Sequence, residues 1–208
     1  MATLLLIRHA VVATTGKRLY GTSPGVHLSD RGREQAARLA ERLRAIRLAA
    51  VYSSPLERCL ETAEPLVAGR ALEVTVLPEL GEVDMGSWTG RTFASLSRLP
   101  AWRLSRTQPS AFRFPEGEAL LEVQARVIDS VGKIARRHRR DTAAVVTHGD
   151  PIRLALAHFA GIHFDLFQRL EVAPASVSAL ALGDGPPRIL RINDTADLDD
   201  LGPPRRGR

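Results

Sequence analysis

The sequence predicts an α/β protein, a three-layer α/β/α sandwich on a mostly parallel central sheet. Three observations carry that expectation. Short apolar runs recur along the chain, as buried strands do. Stripes of apolar residues at helical spacing separate them, and polar residues cluster where the runs end. The 208 residues suffice for one fully cored domain. It is expected over residues 1–195, with a flexible charged tail over 196–208.

The elements follow in order. Thr3 to Ile7 is an apolar run that ends on Arg8-His9, and a loop rich in Gly, Pro, Ser and Thr follows from Thr14 to Val26. Ser29-Asp30 offers a helix cap, after which Ala36, Leu39, Ala40, Leu43 and Ile46 recur at helical spacing. Ala50 to Ser53 is the next strand. Ser54-Pro55-Leu56-Glu57 then combines an N-cap serine, a proline at the first helical position and a glutamate three residues past the cap. Leu56, Leu60, Ala63 and Val67 continue that helix and Gly69 stops it. Glu73 to Leu77 is a third strand. Residues 81–116 read as irregular, broken by Gly81, Gly86, Gly90, Pro100, Pro109 and Pro115. A strong stripe returns with Leu120, Val123, Val127, Val131 and Ile134. Thr142 to Thr147 is a buried strand ending at His148-Gly149, and Asp150-Pro151 opens a helix to Gly161. Ser176 to Leu182 and Arg188 to Ile192 are β-like, and the tail from Asp194 is rich in charge, Pro and Gly.

Composition narrows the function. Hydrophobic residues make up 44% and charged residues 25%, which excludes wholesale disorder. No apolar run is long enough to span a bilayer, and the start lacks a basic lead-in to a signal segment, so the chain reads as cytoplasmic with no membrane partner. A single cysteine, Cys59, excludes an internal disulfide framework and a Cys-rich metal site. Net charge is +6, and all but Lys17 and Lys133 of the 29 basic residues are arginine. The run Arg136-Arg137-His138-Arg139-Arg140 falls at a helix end, where cations complement the dipole. Aromatics are 5% and not interleaved with the basic residues, so nucleic acid is not the expected partner.

Ligands in open α/β sheets gather outside the carboxyl ends of the strands. One strand here ends in Arg8-His9, a second feeds the helix bearing Arg58, and a third ends in His148-Gly149. Two arginine forks and two imidazoles in one crevice suit a phosphoryl group, with one imidazole placed to attack phosphorus. Taken singly, each residue has a plainer role as a core or surface side chain. His27, His138, His158 and His163 are assigned that role, Trp88 and Trp102 read as loop anchors, and Cys59 as a small buried side chain.

With those residues in view, the sequence resembles the histidine phosphatase (phosphoglycerate mutase-like) superfamily. The resemblance is carried by Leu6-Ile7-Arg8-His9, the stretch Leu28 to Ala36, and Tyr52-Ser53-Ser54-Pro55-Leu56-Glu57-Arg58 running on to Ala63. It continues through Glu79 to Gly90, Pro115-Glu116-Gly117-Glu118 and Val146-Thr147-His148-Gly149. It implies a phosphoglycerate mutase-like fold, with His9 as the nucleophile that becomes phosphorylated. Arg8 and Arg58 would bind phosphoryl oxygens, His148 would be a positively charged donor, and Glu82 the proton donor. Thr22, Gly149 and Thr15 would contribute to substrate binding. Thr15 stands where the family commonly has an asparagine, and Ala10 where it has glycine. The implied activity is a metal-independent phosphatase with no cofactor, acting on small phosphorylated metabolites. A cofactor-dependent phosphoglycerate mutase or other phosphomutase is the alternative, and a non-catalytic phospho-ligand binding protein a third reading. Arg91, Arg98, Arg103, Arg106 and Arg113 leave room for an acidic substrate, and a homodimer is left open.

Overall fold

A computed structural model describes residues 1–13 and 15–196. Six strands form one sheet: β1 (Ala2–Arg8), β2 (Leu48–Ser53), β3 (Val74–Val76), β4 (Thr142–Thr147), β5 (Val177–Leu182) and β6 (Arg188–Asp194). Their order is β3-β2-β4-β1-β5-β6. The first four are mutually parallel. β5 runs antiparallel to β1, and β6 antiparallel to β5.

Alternation along β1 shows why two helical layers are needed. Leu5 and Ile7 face one side, packing with Leu39 of α1 (Asp30–Arg42) and Cys59, Ala63 and Leu66 of α2 (Glu57–Val67). Leu4 and Leu6 face the other side. There they pack with Val123, Val127 and Val131 of α5 (Leu120–Arg137) and with Ile152 and Leu156 of α6 (Gly149–Ala160). A strand buried on both faces cannot alternate polar and apolar residues, which is why its sequence is a continuous apolar run. β4 is buried in the same way, with Ala143 to Val146 all at 0% exposure.

Local chemistry sets most element boundaries. Ser29 caps α1 by accepting a hydrogen bond from the Gly32 amide at 3.1 Å, as expected. Gly161 closes α6 in the left-handed conformation. Three expectations need correction. The helix expected from Ser54 begins at Glu57, with Leu56 at the cap position and no side-chain cap bond. The Ser54 hydroxyl instead lies 2.8 Å from His148 Nε2, so the site takes the group that the helix would have used. The stretch expected to be irregular also contains α3 (Phe93–Leu96) and α4 (Pro100–Thr107), with Pro100 in the first turn of α4, where its missing N–H costs nothing. β6 runs to Asp194, into what was read as tail, and the expected tail lies outside the described residues beyond 196. No helix among the described residues is long and apolar enough to cross a membrane.

Candidate active site

Neighbouring strands place the two histidines side by side. In the β1–β4 ladder Arg8 pairs with Thr147, and the His9 amide continues the ladder by donating to the Thr147 carbonyl at 2.9 Å. The next residues, His9 and His148, therefore leave adjacent strand ends, with ring centroids 5.2 Å apart at 64°. The loop after β1 is tied to α2: the Ala10 amide donates to Thr62 Oγ1 at 3.0 Å, and that hydroxyl donates to the Arg58 carbonyl at 2.6 Å. Arg58 is thereby fixed relative to His9.

His9 is 7% exposed, and its Nδ1 lies 2.8 Å from the Ala10 carbonyl. A carbonyl only accepts, so Nδ1 carries the proton and Nε2 keeps its lone pair. Burial, Arg58 and Arg8 lower the imidazole from 6.5 to about 3, so His9 is neutral and nucleophilic at neutral pH.

The guanidinium groups are held by backbone carbonyls rather than by carboxylates. Arg58 donates to Gly21 O at 2.8 Å, and Arg8 to Val172 O at 2.6 Å. Carbonyl partners orient the forks without neutralising them, which leaves both charges available to an anion. Arg8 Nε is buried without a protein partner. Gly149 borders this corner, where a Cβ would stand in ordinary contact, 3.4 Å, with that same Nε.

His148 is fully buried behind His9. Its Nε2 meets Ser54 Oγ, and its Nδ1 lies 3.9 Å from Glu82 Oε2. The expected positive charge is not carried by this pocket on its own. Burial, with His9 and the two arginines close by, holds His148 well below its ordinary value and therefore neutral. Cys59 Sγ packs 3.4 Å from His148 Nε2, and burial pushes this thiol up, out of the reactive range.

Glu82 approaches from the loop between β3 and α3, its Oε1 accepting from the Val83 amide at 3.0 Å. Burial, reinforced by the Asp150 carboxylate, raises it from 4.5 to about 7. A carboxyl poised there both gives and takes a proton near neutrality.

These residues open onto a cavity of about 210 Å³ lined by Arg8, His9, Arg58, Glu82, Gly149 and Thr15. Thr15 Oγ1 is engaged with the Val12 backbone, donating to its carbonyl at 2.9 Å. Thr22 is exposed and does not line the cavity, although its neighbour Gly21 does. Of the five arginines noted over 91–116, only Arg106 reaches the wall; Arg113 instead pairs with Glu122.

Several lining residues were not singled out from sequence. Arg18 comes from the first loop, Asp150 and Arg153 from α6, and Gln168 from the turn after it. The Asp150–Arg153 pair, 3.1 Å apart, was accessible through its i,i+3 spacing. Gln168 carries no local signal. Trp88 is a buried anchor as expected, stacked among Trp102, Phe112 and Phe114, yet both tryptophans also line the cavity. The first loop is laced to this aromatic segment by Leu19 N to Arg91 O at 3.0 Å and Gly90 N to Leu19 O at 2.7 Å. Among the described residues no group of three or more His, Cys, Asp or Glu is placed to hold a metal ion.

Comparison with known proteins agrees with this arrangement. The chain is 30% identical over 203 residues to phosphoserine phosphatase 1 of Hydrogenobacter thermophilus, covering 97% of this chain and 96% of that protein. Bacillus stearothermophilus YhfR superposes with a TM-score of 0.85 at 29% identity, covering 91% of this chain and 96% of its own. The mycobacterial glucosyl-3-phosphoglycerate phosphatase Rv2419c, solved with VO3, superposes at 0.83 with 26% identity, covering 92% and 98%. The family model described as histidine phosphatase superfamily (branch 1) matches residues 4–195, and the chain belongs to that superfamily.

Proposed function

We propose that the chain is a phosphatase of small phosphomonoesters that works through a phosphohistidine on His9. The observation that carries this reading is the His9 imidazole, proton-free at Nε2 and facing the cavity between two carbonyl-held guanidinium groups. Nε2 attacks phosphorus, the N–P bond forms, and the bond to the leaving oxygen breaks. The three phosphoryl oxygens are met by Arg8 and Arg58, charge stabilisation that this reaction depends on more than on covalent help. His148 stands behind His9, where the approach of the dianion favours its protonated form. Glu82, raised to about 7, gives its proton to the leaving oxygen. As carboxylate it then takes a proton from water, which attacks phosphorus and returns the N–P electron pair to Nε2.

Phosphomutase activity is the second reading, favoured by Arg18, Arg106 and Arg153 at the cavity wall, which suit a second acidic group on a reorienting intermediate. The names of the related proteins above include two phosphatases and support hydrolysis. One experiment decides: turnover of a panel of phosphomonoesters, 3-phosphoglycerate included, with phosphate release and isomerisation followed together. Steady phosphate release that is lost in a folded His9→Ala protein, with acid-labile, base-stable label on His9 after rapid quench, is the expected result. Isomerisation faster than phosphate release would overturn hydrolysis, and full activity in His9→Ala would overturn the phosphohistidine.

A further inference from the structure

The motif Pro115-Glu116-Gly117-Glu118 does not line the cavity, yet it docks against the loop that carries Glu82. Gly86 and Gly117 make the contact feasible. A Cβ on Gly86 would stand 2.0 Å from the Pro115 carbonyl oxygen, and one on Gly117 would stand 2.4 Å from that of Asp84. Two backbone bonds stitch the loops together, Glu118 N to Asp84 O at 2.9 Å and Ser87 N to Pro115 O at 3.0 Å.

Arg126, on α5, closes this assembly. Its Nε and Nη2 reach the two Glu118 carboxylate oxygens, each at 2.9 Å, in a bidentate fork. Its Nη1 donates to Glu79 O at 2.7 Å and Gly81 O at 2.8 Å, and Nη2 also donates to Glu82 O at 2.9 Å. A guanidinium has five N–H donors, and these contacts use all of them. Glu118 Oε2 accepts in addition from the Asp84 amide at 2.9 Å. One ion pair thus grips the backbone on both sides of Glu82, at 79, 81 and 82 before its side chain and at 84 after it.

We propose that the Arg126–Glu118 pair is a positioning device for the proton donor, setting where the Glu82 carboxyl stands relative to the leaving oxygen. The proposal rests on the acid role of Glu82 given above. A lysine cannot replace the fork, because one ammonium on a flexible stem does not serve three carbonyls and a carboxylate in fixed directions. A misplacement of the order of 1 Å is enough to cost about 10²-fold in rate. The loss should concentrate where the leaving group most needs a proton.

The test is the dependence of kcat/KM on leaving-group pKa over a series of aryl and alkyl phosphates, since kcat/KM reports the phosphorylation step. Arg126→Ala, Arg126→Lys and Glu118→Gln are compared with Glu82→Gln, and with Lys133→Ala, an exposed side chain of the same helix, as control. We expect Arg126→Ala to lose about 10–100-fold on alkyl phosphates and under about 3-fold on p-nitrophenyl phosphate. We also expect it to add little to Glu82→Gln in the double variant. A uniform loss across the series, with the slope unchanged, would make the pair a purely structural staple and overturn the proposal. If Arg126→Ala fails to fold, the slopes of Arg126→Lys and Glu118→Gln decide in the same way. If Glu82→Gln itself leaves the slope unchanged, the acid role fails first, and the positioning role with it.

Discussion

Replacing Glu82 by glutamine keeps the side-chain shape and removes the transferable proton. The structure gives the size of the effect. At pH 7 a carboxyl at 4.5 is about 0.3% protonated, whereas one raised to about 7 is about half protonated, a gain of roughly 150-fold in the acid form. The pKa is raised, so the acid is present below about 7 and lost above it. For an alkyl phosphate, kcat/KM should therefore hold below that pH and fall about tenfold per unit above it. His9, lowered to about 3, adds no limb in this range, and neither does His148, which burial holds well below its ordinary value in the free pocket that kcat/KM reports. The substrate's own ionisation near pH 6 is common to both proteins and cancels in the ratio of variant to parent. In Glu82→Gln the alkaline limb should vanish, with activity on alkyl phosphates lowered roughly 10²–10⁴-fold and a smaller loss for aryl phosphates. Initial rates from pH 5.5 to 9 on both substrate types check this. An alkaline limb that survives in Glu82→Gln would refute the assignment of the proton to this residue.

Other expectations follow from the same geometry. Arg58→Lys keeps the charge but loses the fork, and should lower kcat/KM by roughly 10²–10³-fold. Arg58→Gln removes the strongest cationic influence on His9, so an NMR titration should find that imidazole shifted upward from about 3. Gly86→Ala places a Cβ 2.0 Å from Pro115 O at a backbone with φ +48. It should destabilise the fold by about 3 kcal/mol or more, read as a lower urea midpoint. Turnover should be unchanged by EDTA, with a loss restored by added metal as the contrary result.

Much of this was legible because the chemistry is local. Arg8-His9 and His148-Gly149 each follow a continuous apolar run, and strand ends in a parallel sheet share one rim. Ser29 capped its helix because its hydroxyl can accept from the Gly32 amide while donating its own proton to the Val11 carbonyl. Ser54 failed the same reading because its hydroxyl sits 2.8 Å from His148 Nε2, a partner 94 residues away in sequence, while the nearby Leu56 amide reaches it only at 3.4 Å. Thr22 follows a glycine that does line the cavity, and only the turn of the loop decides which of the two faces inward. The neutrality of His148 was hidden for a related reason. Its cause is the company of Arg8, Arg58 and His9 in a dry interior, not its own neighbours in sequence. Arg126 gave no signal at all, since every group it touches lies at least eight residues away.

The pairing that sets the two imidazoles side by side also governs when the molecule becomes competent. β1 is made first, yet its parallel neighbour spans residues 142–147 and its other neighbour 177–182. Such non-local ladders close slowly, because loop entropy is lost before any contact is gained. During synthesis β1 must therefore wait, with both of its edges unpaired, until residues 142–147 and 177–182 have left the ribosome. Its apolar run is an aggregation hazard throughout that interval. Recovery of turnover in a refolding experiment should accordingly trail the return of helical signal, making activity a reporter of the last cooperative step.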